Sequence, residues 1–215
     1  MTEAAARQEA ARRSRLRDVV ALAILTVTAV LTAWSGFESS KWSGEMSIAF
    51  SRASAQRIEA ARWTATADAA RGYDLQTFAV WLGAVAQDDQ ELADFVEQRF
   101  AERFRPAFDE WLAARPLQNP DAPPSPFALD AYRPPGTTEA AEADARADAY
   151  FAEALRDNQR GDNYTLLTVL FALVLFFTAM AERARRPLPR HALTVLTTVL
   201  FVVGIVLLAM FPKIV

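Results

Sequence analysis

The chain has 215 residues, 52% of them hydrophobic, with a formal net charge of −3 and no cysteine. The missing thiols exclude disulfides, thiolate catalysis and cysteine-bound metals. The single histidine, His191, sits in a short basic stretch and reads as a polar membrane-edge residue, so no metal or cofactor site is expected. Hydrophobicity is segregated into three blocks without a charge, at 19–37, 164–181 and 192–211. Each is long enough to cross a hydrocarbon core of about 30 Å.

The tail at residues 1–18 carries Arg7, Arg12, Arg13, Arg15 and Arg17, and Glu3 and Glu9 are the only acids before Asp18. The 19–37 block that follows is longer than a signal-peptide core of about 7–15 residues and has no clear small-x-small cleavage site, so an uncleaved anchor is expected. Its end merges into AWSGFESSKWSGEMSIAFSRAS at 33–54, where serines recur every fourth residue as Ser35, Ser39, Ser43, Ser47 and Ser51. At 3.6 residues per turn that stripe drifts about 40° per step, too fast for one straight pore lining. Gly36, Ser40 and Gly44 form a second small-residue row beside it. Together they read as a helix-packing seam, with a pore-facing role for the same residues as the competing reading. Trp34 is expected to anchor the interface, as are Tyr164 and Phe211 at the edges of the later blocks, while Trp42 falls just beyond the membrane.

Residues 38–163 form the long polar segment, with 22 acidic against 13 basic side chains. Such a surface repels nucleic acid, which is not expected as a partner. The first helix is predicted to continue from Ser39 to Arg71, with Gly72 as its C-cap. Residues 73–86 are apolar but too short to span and are expected to be core, with a segment lying at the membrane interface as the alternative. Asp88 is the predicted N-cap of a new helix, with Glu91 three residues on. Leu92, Phe95, Val96, Phe100, Phe104, Phe108 and Trp111 then recur at helical spacing as a core stripe packed on the first helix. Pro106 marks a kink or a fresh helix start after Arg105.

Residues 116–136 hold seven of the eleven prolines and are expected to be an extended connector. Thr138 opens a further helix, with Glu139 and Glu142 in its first turn, that runs towards or into the second apolar block. The loop 182–191 contains Arg183, Arg185, Arg186 and Arg190 against Glu182, and 212–215 is a short tail. By the positive-inside rule both arginine clusters are cytoplasmic, which puts 38–163 and the tail on the far side of a bacterial inner membrane.

No phosphate loop, dinucleotide fingerprint, HExxH, nucleophile elbow or calcium loop is present. Adjacent carboxylates such as Asp88/Asp89 point apart on a helix, and the spans carry no internal charge of the kind coupled transporters use. An enzyme is not expected. The stretch AWSGFESSKWSGEMS after the first span, together with the closely spaced span pair, resembles an uncharacterised family of bacterial inner-membrane proteins. That resemblance implies a membrane location and carries over no functional residue. The expectation is an all-α, three-span protein with an extracytoplasmic helical hairpin. It would serve as an oligomeric scaffold or accessory subunit, partnered by the bilayer and by its own copies or another membrane protein; the alternative is a homo-oligomeric ion channel with the first helix near the pore.

Overall fold

A computed structural model describes residues 2–116, 118–184 and 186–214, with side chains from residue 19 onward, Pro187 excepted, and at Arg12 and Arg15. Arg185 therefore lies outside the described residues, as do the side chains of Arg13 and Arg17. The fold is all-α, with no strand among the described residues. Its helices are α1 (Thr2–Ala86), α2 (Gln90–Glu97), α3 (Arg105–Ala113), α4 (Thr137–Arg183) and α5 (Pro187–Met210), plus one 3-10 turn at Pro126–Ala128. Three of these, α1, α4 and α5, contain stretches long and apolar enough to cross a membrane.

Helix lengths follow from where proline is absent. The first proline is Pro106, and none lies between Pro135 and Pro187, so α1 reaches 85 residues and α4 reaches 47. Gly72 does not cap α1: tertiary packing outweighs the roughly 1 kcal/mol that an interior glycine costs, and the helix continues to Ala86. It ends where Asp88 turns left-handed, at φ 58°. The N-cap of α2 is accordingly Asp89, one residue later than expected, with its carboxylate accepting from Leu92 N–H at 3.0 Å. Helix α3 opens at Arg105 with Pro106 in its first turn, where a missing N–H costs nothing.

The chain divides into two compact units. Unit one holds residues 1–50 and 151–215. There α1 and α4 run antiparallel, since Ser39 bonds Gly161 while Phe50 meets Phe151. Buried α1 positions recur in sevens, at Thr28, Ser35, Trp42 and Ala49, and α4 answers with Ala154, Gly161, Tyr164, Phe171, Val174 and Thr178. A repeat of 3.5 residues is the left-handed packing seam. The contacts within the chain thus follow the sevenfold positions and not the fourfold serine row. On α5, Gly204 leaves a notch for the fully buried Phe171 ring, because a Cβ there would lie 2.6 Å from a ring carbon. The outward faces are apolar, as at Leu22, Val30, Leu166, Val195 and Val202. Helices that turn this much aliphatic surface outward have lipid as their solvent. The protein is a multi-span helical membrane protein.

Unit two holds residues 51–150. Its α1 segment buries Ala53, Ala60, Ala67, Asp74 and Trp81, again seven apart, and α4 buries Ala143 and Ala147, with Arg57 of α1 paired to Asp144 and Asp148 beside them. The alanines among these positions are small enough to let the two backbones approach closely. Beyond the alanines lies an aromatic core. Phe104, fully buried, has Phe100, Phe127, Phe108, Tyr132 and Phe78 within 6.1 Å, centroid to centroid. The stripe is core from Val96 onward, with Phe100 and Phe104 in the turn between α2 and α3, but Leu92 and Phe95 lie on the exposed side, Phe95 under the Arg99 guanidinium. The proline-rich segment is more than a connector: Pro126 is buried, and Pro123 accepts from Trp111 Nε1 at 2.9 Å, so the loop lids the core. It returns through Gly136 at φ 90°, where a Cβ would sit 2.7 Å from the Trp63 carbonyl, so only glycine fits.

Candidate functional site at the end of the first span

Helical phase brings Ser35, Glu38 and Trp42 to one face of α1, three and four residues apart. All three are buried, at 0%, 0% and 7% exposure. They face a cluster in which Tyr164, Leu167 and Phe171 of α4 pack with Leu207 and Leu208 of α5 and with Phe211 and Ile214. Glu38 Oε2 accepts from the Ile214 N–H at 3.1 Å. The Tyr164 hydroxyl donates to Pro212 O at 3.0 Å, and its ring stands edge-on to Phe211 at 5.6 Å. Residues 211–214 are thereby tied to α1 and α4 by one carboxylate and one phenol.

The polar inventory around Glu38 is incomplete within the chain. Glu38 Oε1, Ser35 Oγ and Trp42 Nε1 are buried and make no hydrogen bond. Each such group costs about 1–3 kcal/mol if nothing satisfies it. The indole of Trp42 gains compensation through its face, with the Arg160 guanidinium 4.5 Å from the ring centroid and itself paired to buried Asp157 at 2.9 Å. The site can therefore accept one more hydrogen bond at a carboxylate and donate one from an indole, in surroundings that exclude bulk water.

The small-residue rows fall on several faces. Ser35 points inward. Ser39 bonds Gly161 O at 3.1 Å and the Thr165 hydroxyl at 2.8 Å. Ser43 and Ser47 are exposed and donate back to Ser39 O and Ser43 O of their own helix, both at 2.9 Å, and Ser51 is exposed. Gly36, Ser40 and Gly44 are exposed, and a Cβ at either glycine would meet nothing within 4 Å. Trp34 is 40% exposed beside Phe37, on the outer surface. Tyr164, expected at the lipid boundary, is fully buried, and Phe211 is half-buried against it. Of the basic clusters, Arg12, Arg15, Arg183 and Arg186 are exposed and Arg190 is half-buried.

Sequence reasoning missed Glu38. It is the first charged residue after an apolar run, and that position reads as solvent until the packing shows otherwise. Its spacing of three from Ser35 and four from Trp42 was the available signal.

A second buried carboxylate lies in unit two. Asp74, fully buried, accepts from Arg103 Nε at 3.0 Å and Nη2 at 2.9 Å, and from the Tyr132 hydroxyl at 2.9 Å. Burial first, then the hydrogen bond to Asp74, pushes the Tyr132 phenol above its ordinary value. Here every acceptor is used, which marks a structural lock joining α1, the segment before α3 and the proline-rich loop.

Comparison of the chain with protein-family models, with curated proteins and with solved structures gives no match.

Proposed function

We propose that this is a non-enzymatic inner-membrane protein of bacteria that acts as an oligomeric scaffold or accessory subunit of the cell envelope. The arginine clusters at 1–18 and 182–191 support a cytoplasmic N-terminus, with residues 38–163 and 212–215 on the opposite side. The observation that carries the reading is the row Gly36, Ser40 and Gly44, exposed on α1 with open space over both glycines and flanked by exposed Phe37. The row begins at the end of the span with Gly36 and continues past the membrane boundary at Ser40 and Gly44, and small residues at a membrane exit permit the close backbone contact that helix association there draws on. A second copy of α1, or a span of a partner protein, fits this row.

The alternative is a homo-oligomeric channel with α1 near the pore, which draws on the outward-facing Ser43 and Ser47. Purified protein in planar bilayers separates the two. The scaffold reading expects self-association without conductance; unitary currents abolished by Ser43→Leu or Ser47→Leu would replace it with the channel. A strictly monomeric chain in both detergent and lipid would remove the oligomeric reading and the channel together.

A further inference from the structure

A cavity of about 250 Å³ opens in unit one at the span ends that carry the basic loop. Its wall is aliphatic where Val20 and Ile24 of α1 line it, and it becomes polar at Thr178, Thr197, Glu182 and Arg190. The volume is below the roughly 300–1,000 Å³ of pockets that engulf a whole small molecule, so it suits part of a longer, apolar one. Two further observations give the occupant its chemistry. Thr178, Thr194 and Thr198 spend their hydroxyls on carbonyls of their own helices. Thr197, only 3% exposed, does not: the residue lines the cavity, and its buried Oγ1 makes no hydrogen bond. At the mouth, Glu182 and Arg190 place a carboxylate and a guanidinium at one opening.

From this arrangement we infer that the cavity is a binding site for a single aminophospholipid, a glycerophospholipid whose headgroup carries a phosphate and a primary ammonium. One acyl chain enters along Val20 and Ile24, and an ester carbonyl accepts from the Thr197 hydroxyl. Arg190 lies in the first turn of α5, where guanidinium and helix dipole both favour the phosphate, while Glu182 receives the ammonium. A purely anionic headgroup would leave Glu182 opposed by like charge. A quaternary choline would deny it a donor.

The test uses the full chain, purified and exchanged into nanodiscs or detergent with defined lipid. Native mass spectrometry and thermal denaturation are read with phosphatidylethanolamine, phosphatidylglycerol or phosphatidylcholine. The expected result is one retained phosphatidylethanolamine per chain that raises the melting temperature. Arg190→Gln should weaken its retention by about tenfold or more, as loss of a charge-assisted bond implies. Glu182→Gln should abolish the preference over phosphatidylglycerol, and Thr197→Val should weaken retention of all three lipids. The two mouth residues lie outside the packed core, so their variants remain informative if Thr197→Val fails to fold. Equal retention of all three lipids, unaffected by either mouth variant, would mean boundary lipid only and overturn the assignment. Preference for phosphatidylglycerol would overturn it as well.

Discussion

Glu38 and Asp74 are both fully buried carboxylates on α1, yet they are treated differently. Asp74 has a bidentate guanidinium and a phenol; Glu38 has one backbone N–H and a bare oxygen. A buried carboxylate with all its acceptors used holds a fold together. One with an acceptor left over keeps capacity for something outside the chain's own inventory, and such groups near a membrane are where function concentrates. The two units therefore divide the labour: unit two is a closed, self-satisfied helical module, and unit one keeps unspent polar groups and small residues.

The sharpest way to break this contrast is Arg103→Met, which keeps the side-chain bulk and strands the Asp74 carboxylate. The expected loss is about 3 kcal/mol, the lower end for a broken buried pair because a third of Arg103 is exposed. Urea unfolding followed by tryptophan fluorescence reads it, since Trp81 and Trp111 sit in the same unit. A loss below 1 kcal/mol would make the lock decorative. Next in size is Ala147→Leu, which forces three extra carbons into the closely packed seam of unit two and should cost about 1–3 kcal/mol by the same assay. An unchanged midpoint would show that the seam has slack.

Tyr132 supplies a test by pH. Its phenol holds its proton more tightly folded than unfolded, so its contribution is fully present below the unfolded value of about 10 and declines as the pH climbs above it. Tyr132→Phe should cost about 1 kcal/mol at neutral pH and flatten that alkaline decline. A wild-type profile level to the most alkaline pH tested would contradict the Asp74 contact. The smallest effect is expected at Glu38→Gln, which keeps an acceptor for the Ile214 N–H: less than about 1 kcal/mol, against about 2–3 kcal/mol for Asp74→Asn, which weakens charge-assisted bonds. Equal losses from the two would erase the distinction.

Much of this architecture was legible in the chain. The three spans announce themselves because hydrophobicity there is uninterrupted, and Phe100, Phe104, Phe108 and Trp111 announce a core because aromatic spacing matches the helical turn. The intrachain seam was hidden for the opposite reason. Its sevenfold positions in unit one are Thr28, Ser35, Trp42 and Ala49, a chemically mixed set that no hydropathy pattern singles out. The more conspicuous fourfold serines drew attention to a row that leaves the interface after Ser39. Gly72 misled because a helix stop inferred from propensity is weak against packing along a long helix. The Asp74 lock joins residues 29 and 58 positions apart, a distance over which sequence carries no local signal.

The central claim, that α1 presents an open packing seam to another helix, meets its most direct test in the native membrane. The chain has no cysteine, so a single introduced thiol is the only one present. Cysteine placed in turn at Gly36, Ser40 and Gly44, and at Ser39 and Val30 as inward-facing and lipid-facing controls, is treated with a short bifunctional maleimide. Cross-linked dimers should appear at the three seam positions and be absent at both controls. Equal cross-linking at every position, or none at Gly36, Ser40 and Gly44 in membranes where the chain is demonstrably oligomeric, would contradict the account.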